Sequence, residues 1–319
     1  MVDNAPVETN SDLNPAQREV LDQLGAPPGD RPVFAEDLRY HLRAALETAA
    51  EPHLDVLPDG EDLFVTKHRL AMVHGCEARF LAEETSPFEW RVPLARGTIV
   101  HKAVELSVNW RREKEPAILV DEALSRFEAD SDDFGHWLRG CSEADRAELR
   151  SEAVDAVSKF VECWPDLKPA WRPVTESRVR AELCDNRLIL VGKVDLSLGV
   201  AQGHRAGKVI IDLKTGGFVP VHREDLRFYA LVETLRIGVP PRLIASYYLD
   251  QASFVPEEVG EDTLTATIAR VSDGVGRLMA LLHRGEEPNK LPGPACRWCP
   301  LLQTCDQGLA HLTDLDDNP

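Results

Sequence analysis

Apolar positions along this 319-residue chain follow two rhythms. From Asn14 to Gly25, and again from Glu36 to Ala50, they recur every three to four residues, which predicts two amphipathic helices. Asn14 stands in the capping position of the first, Pro15 opens it and Gly25 stops it. Helical spacing returns over Lys67–Ala82, Gly97–Lys114 and Glu143–Cys163. The rhythm then shortens. The runs VTESRVRAELC and RLILVGKVDLSL, joined at Asp185-Asn186, read as a β-hairpin, and KVIIDLKTG follows across the polar loop AQGHRAG as a further strand. A helix over Glu224–Arg236, a strand LIASYYLD and a long helix over Glu261–Arg284 complete the pattern. This order predicts an α/β fold, a mixed central sheet flanked by helices. The pattern changes near Phe64 and ends in a Pro- and Cys-rich segment. We therefore expect an acidic, mostly helical N-terminal extension over residues 1–63, a compact domain over 64–306 and an acidic tail over 307–319.

With 43% hydrophobic residues the chain can bury a substantial core. It has no stretch of eighteen apolar residues, and MVDNAPVETN has neither a basic flank nor an apolar signal core. A cytoplasmic location with no membrane partner is expected. The net charge of -18 argues against a polyanionic partner. That charge is uneven, however: Met1 to Val65 holds four Lys or Arg against fourteen Asp or Glu, whereas Arg91 to Lys114 holds six basic residues against two acidic ones. Such a basic strip can bind a phosphate backbone; it can also be the solvated face of a helix. Seven cysteines without an export signal point to metal binding before disulfides.

Candidate chemistry concentrates in the strands. Asp212 and Lys214 lie two apart in VIIDLKT, so a strand directs both side chains to one face and turns Leu213 toward the core. An acid and an amine at the end of an apolar strand are costly unless they pair or bind something. Asp195 ends another apolar run in GKVDLSL, and neighbouring strands can bring the two carboxylates together. A divalent cation relieves their repulsion, and oxygen ligands favour Mg²⁺ or Mn²⁺. His101 lies on the helix GTIVHKAVEL with Glu105 four residues on, sharing its face. Each part also has a structural explanation, as an ion pair or a packed histidine.

Taken in order, G-x-x-x-H-x-x-x-E (Gly97, His101, Glu105), G-x-x-D (Gly192, Asp195) and D-x-K-T-G (Asp212, Lys214, Thr215, Gly216) resemble the PD-(D/E)XK nucleases of the RecB type. The resemblance covers roughly Phe64 to Asp306 and implies a restriction-endonuclease-like core. It further implies that His101, Asp195, Asp212 and the Leu213 carbonyl hold a catalytic Mg²⁺ or Mn²⁺, that Lys214 orients water or steadies developing charge, and that Glu105 supports them. Arg96, Lys102 and Tyr229 become candidate nucleic-acid contacts. One motif departs: where these nucleases carry Q-x-x-x-Y, EDLRFYALVE keeps Tyr229 but places Asp225 at the Gln position.

Cys296, Cys299 and Cys305, flanked by Pro294 and Pro300, put three thiols within ten residues, and Cys76 can supply a fourth. An early Cys with a late C-x2-C-x5-C resembles the iron-sulfur staple of AddB and CRISPR-adaptation nucleases, implying a [4Fe-4S] cluster; zinc is the alternative. Cys141, Cys163 and Cys184 have no spacing partners and are expected as buried or half-buried thiols. The function implied is a metal-dependent exonuclease-like deoxyribonuclease in DNA repair or recombination. Because the chain has no G-x-x-x-x-G-K-[ST] phosphate loop, a helicase or other repair protein in trans is an expected partner. The alternative is a catalytically weak module that binds nucleic acid or protein on the same scaffold.

Overall fold

The computed structural model describes residues 13–110 and 113–317. Arg111 and Arg112 of the basic strip, residues 1–12 of the N-terminal extension and residues 318–319 of the tail lie outside the described residues.

Helix α1 (Pro15–Leu24) opens on a reciprocal cap: Gln17 N donates to Asn14 Oδ1 at 2.9 Å and Asn14 N to Gln17 Oε1 at 3.1 Å. Next come α2 (Leu38–Ala50) and a short strand, β1 (Leu63–Val65). The helix expected over Lys67–Ala82 is two, α3 (Lys67–His74) and α4 (Glu77–Thr85). Gly75 takes φ -86° and ψ -115°, outside the helical region, and Cys76 is extended, so the chain turns a corner there. Helix α5 (Val92–Val108) starts before Gly97, with Pro93 in its first turn. Two helices that the periodicity did not resolve, α6 (Pro116–Ala129) and α7 (Asp133–Gly140), precede α8 (Glu143–Cys163).

The hairpin is present as β2 (Val174–Leu183) and β3 (Leu188–Leu198), with Cys184, Asp185 and Asn186 all at positive φ in its turn. Then follow β4 (Val209–Lys214), α9 (Val221–Ile237), β5 (Leu243–Tyr248), an unanticipated edge strand β6 (Ser253–Glu258) and α10 (Glu261–Leu282). A final helix, α11 (Asp306–Asp317), occupies part of the segment expected as a tail.

The strands form one mixed sheet between two helical layers. One core gathers Leu46, Leu70, Phe228, Leu264 and Leu278 from α2, α3, α9 and α10 against Leu188, Leu190 and Ile210. The opposite core gathers Ile99, Leu119, Leu149 and Trp164 on and after α5, α6 and α8 against Leu196, Ile211 and Tyr247.

Strand β3 organises the site. One edge pairs with β2 along most of its length. The other edge is shared: Leu188–Leu190 pair in parallel with β1, and Leu196–Leu198 pair antiparallel with β4. Strands β1 and β4 therefore run toward each other along that edge, and both stop opposite residues 191–195. Backbone groups in such a gap need other partners.

Candidate active site

The gap gathers the reactive side chains. The β3–β4 ladder ends at the Leu196–Ile211 pair, and β4 continues alongside β5 as far as Lys214. With no β3 carbonyl opposite, Leu213 N donates instead to Asp195 Oδ2 at 2.8 Å. Asp195 is thereby held by the strand that carries Asp212. From the layer above, α5 contributes His101, whose Nε2 donates to the Leu213 carbonyl at 3.0 Å and whose Nδ1 lies 3.4 Å from Asp195 Oδ1. Gly97, one turn earlier on α5, would with a Cβ come 3.4 Å from Thr215 Oγ1, so the helix packs closely on the end of β4.

Glu176 joins them from β2. Thr175 pairs with Leu196 and Ser177 with Val194, which sets Glu176 across from Asp195. Its Oε1 stands 3.9 Å from His101 Nδ1, and its other oxygen pairs with Lys193. Glu176 holds φ 52°, a left-handed conformation uncommon for a non-glycine residue, and such outliers concentrate at functional sites. The ligand atoms of His101, Glu176 and Asp195 lie within 4.8 Å of one another. Burial disfavours protonated His101, but Asp195, Glu176 and Asp212 outweigh it and raise its pKa to about 9.

Asp212 is 1% exposed, and each of its oxygens meets an ammonium: Lys67 Nζ at 2.7 Å from Oδ1 and Lys214 Nζ at 2.7 Å from Oδ2. The Lys214 contact is close but poorly aligned, which leaves Oδ2 without a hydrogen bond. Burial acts against the Asp212 carboxylate, yet the two lysines hold its pKa well below the usual range. Burial likewise opposes the Lys67 ammonium, and Asp212 leads the neighbours that hold it above the lysine range. Asp225, on α9, lies 3.6 Å from Lys214 Nζ and 3.9 Å from Lys67 Nζ. One turn on, Tyr229 is 2% exposed and donates its hydroxyl to Lys193 O at 2.7 Å, closing part of the gap in β3. Gly192 makes room for that ring. A Cβ there would stand 3.1 Å from Tyr229 Cδ1 and overlap Cε1.

His101, Asp195, Asp212, the Leu213 carbonyl and Lys214 are thus brought together. The other expected residues make contacts of their own. Glu105 accepts from Lys102 Nζ at 2.9 Å, and Arg96 pairs with Asp250 and Glu152. Arg91 and Lys114 of the basic strip face Glu89 and Asp166. Tyr229 lies beneath the site rather than on its surface. Glu176 and Lys67 were not anticipated from sequence, because only strand register brings them in.

A second constellation joins the C-terminal segment to the α3–α4 corner. Cys76, Cys296, Cys299 and Cys305 line one cavity of about 350 Å³. Burial pushes the Cys299 thiol up, and Cys76 and Cys296 add to the shift. Buried Glu77 anchors the junction, accepting from Arg277 Nη1 at 2.6 Å and Asn289 N at 2.8 Å. Cys141, Cys163 and Cys184 are half-buried and apart from this group.

A sequence profile of the PD-(D/E)XK nuclease superfamily matches residues 65–306. The chain belongs to this superfamily. No curated protein matches it. Among solved structures, a candidate exonuclease from Eubacterium rectale shares 12% identity over 82% of this chain and 92% of its own, with a TM-score of 0.46. The protein SSO0001 shares 14% over 84% and 97%, with a TM-score of 0.35, and Rai1 of Scheffersomyces stipitis shares 9% over 82% and 70%, with a TM-score of 0.26. Likeness at these levels carries no functional argument. The α/β sandwich with its mixed sheet is the restriction-endonuclease-like fold of the superfamily. Among the described residues no helix is long and apolar enough to cross a membrane.

Proposed function

We propose that this PD-(D/E)XK protein is a divalent-metal-dependent deoxyribonuclease, exonuclease-like in action, that serves DNA repair or recombination in the cytoplasm. The observation that carries the reading is the convergence of His101, Asp195, Asp212 and the Leu213 carbonyl with Lys214 in one gap of the sheet. The donor set fits Mg²⁺ or Mn²⁺: carboxylates and a carbonyl dominate, one imidazole joins them, and the buried Asp212 Oδ2 has no hydrogen bond. Glu176 is a further carboxylate within reach of the same ion. Such a cation supplies Lewis-acid stabilisation of the charge that builds on the phosphate. The protein's own part is to position and neutralise. Asp195 accepts from Leu213 N–H and His101 meets the Leu213 carbonyl, so the two side chains together hold that residue at the end of β4. Lys214, held by Asp212, offers an ammonium to the attacking water or to the phosphate oxygens.

For the cysteines we propose a [4Fe-4S] cluster on Cys76, Cys296, Cys299 and Cys305 with a structural role. Four thiols around one cavity support a metal guest. The early Cys and the late C-x2-C-x5-C spacing support the iron-sulfur cluster, with zinc as the alternative. When bound, the cluster ties the C-terminal segment to the α3–α4 corner and limits the unfolded ensemble.

Incubation with end-labelled single-stranded, duplex and circular DNA, in Mg²⁺ or Mn²⁺, tests the function. The expected outcome is metal-dependent loss of linear substrate by the parent and none by Asp195→Ala. Cleavage of circles would exclude a strict exonuclease, and equal cutting by both proteins would overturn the site assignment.

A further inference from the structure

The nuclease reading gives Lys214 a task and leaves Lys67 with none. Lys67 is the first residue of α3, two positions beyond the end of β1, and it enters the gap from the side opposite β4. Its Nζ lies 2.7 Å from Asp212 Oδ1, 3.9 Å from Asp225 Oδ2 and 4.8 Å from the centre of the Tyr229 ring. Lys214 Nζ approaches the same two acids. Two ammoniums and two carboxylates therefore make a neutral group around a carboxylate that is a candidate metal ligand.

A dication at Asp212 cannot leave that arrangement intact. Two added positive charges within a few ångströms of two ammoniums repel strongly in a partly buried site. Lys214 projects from the same strand as Asp212, two residues on. Lys67 has the same four-carbon stem and shares Asp225 with Lys214, but it is more exposed, 25% against 18%, and has the Tyr229 face beside it. It is the cation free to yield Asp212 without leaving the site. This also accounts for the acid at position 225: an amide there would not balance a second ammonium, whereas a carboxylate does.

We propose that Lys67 is a second active-site cation, retained by Asp225, which competes with the divalent ion for Asp212 and, once displaced, binds a non-bridging phosphate oxygen of the substrate. The proposal rests on the nuclease reading above. A lysine that merely held α3 against the sheet would affect stability without touching the affinity for metal or nucleic acid.

The test uses the full chain and reads binding rather than turnover: Mn²⁺ by titration calorimetry without nucleic acid, and a fluorescent single-stranded oligonucleotide by anisotropy in Ca²⁺. In Lys67→Gln we expect Mn²⁺ to bind about tenfold more tightly and the oligonucleotide about tenfold more weakly, the scale of one charge-assisted contact. Lys67→Arg, which keeps the charge, should hold oligonucleotide affinity near the parent's. Should Lys67→Gln fail to fold, the charge-balanced double variant Lys67→Gln/Asp225→Asn should show the same weakened oligonucleotide binding. Parental affinities for both ligands in whichever variant folds would overturn the proposal alone. If instead Asp195→Ala binds Mn²⁺ as the parent does, the metal reading itself fails and this proposal with it.

Discussion

Gly192→Ala should disturb the site without removing any functional group. A Cβ at position 192 would stand 3.1 Å from Tyr229 Cδ1 and overlap Cε1, and the ring is packed in the core between β3 and α9. Relief requires the ring to move away from β3, which breaks its 2.7 Å bond to Lys193 O and withdraws the aromatic face from Lys67. Overpacking of a well-filled core costs about 1–3 kcal/mol, and a lost hydrogen bond adds about 1 kcal/mol. The expected destabilisation is about 2–4 kcal/mol. At about 2 °C per kcal/mol for a chain of this size, Tm should fall by about 4–8 °C. Thermal melting by circular dichroism measures this, and Gly192→Ala in a Tyr229→Ala background isolates the cause. If the ring is the obstacle, the glycine substitution should cost less than about 1 kcal/mol once the ring is gone. An unchanged Tm in the single variant, or the same loss in both backgrounds, would refute the steric account of this glycine.

Three other outcomes follow from the same geometry. The pKa of His101, raised to about 9 from 6.5, means that its protonated form stabilises the metal-free protein fully below about pH 6.5 and progressively less as pH rises toward 9. Urea melts without metal should show up to about 3 kcal/mol lost across that window, and saturating Mg²⁺, which requires neutral imidazole, should bind more tightly as pH rises. Glu77→Ala leaves Asn289 N without its buried acceptor, while half-exposed Arg277 keeps Asp273, and should cost about 1–3 kcal/mol, with limited proteolysis cutting first between α10 and α11. Cys296→Ser should abolish the absorbance near 400 nm of anaerobically purified protein; a colourless parent containing zinc would reject the iron-sulfur assignment.

What could be read from the chain beforehand was local. Asn14 and Gln17 form their cap within one turn, and the hairpin around Asp185-Asn186 is set by its own backbone. Asp212 and Lys214 share a face through the period of a single strand. The break at Gly75 was hidden because apolar spacing continues through it on both sides. Glu176 looks like an ordinary polar position in an alternating strand; only pairing with β3 sets it opposite Asp195. Lys67 is the hardest to foresee. It follows a three-residue strand whose partner, Leu188–Leu190, is more than a hundred positions away, and nothing nearby marks the lysine as other than a helix start. Conversely, Glu105 shares a helix face with His101 but has its nearest cation one turn back, at Lys102, and pairs there.

Single-turnover cleavage by Lys214→Ala at saturating Mn²⁺, with metal affinity measured in the same preparation, tests the central claim most directly. Lys214 touches Asp212 and belongs to no proposed ligand set, so its loss should lower the rate by about 10²–10³, the scale for removing one preorganised charge donor, with Mn²⁺ still bound. Cleavage at the parental rate by a protein that binds Mn²⁺ normally would contradict the account.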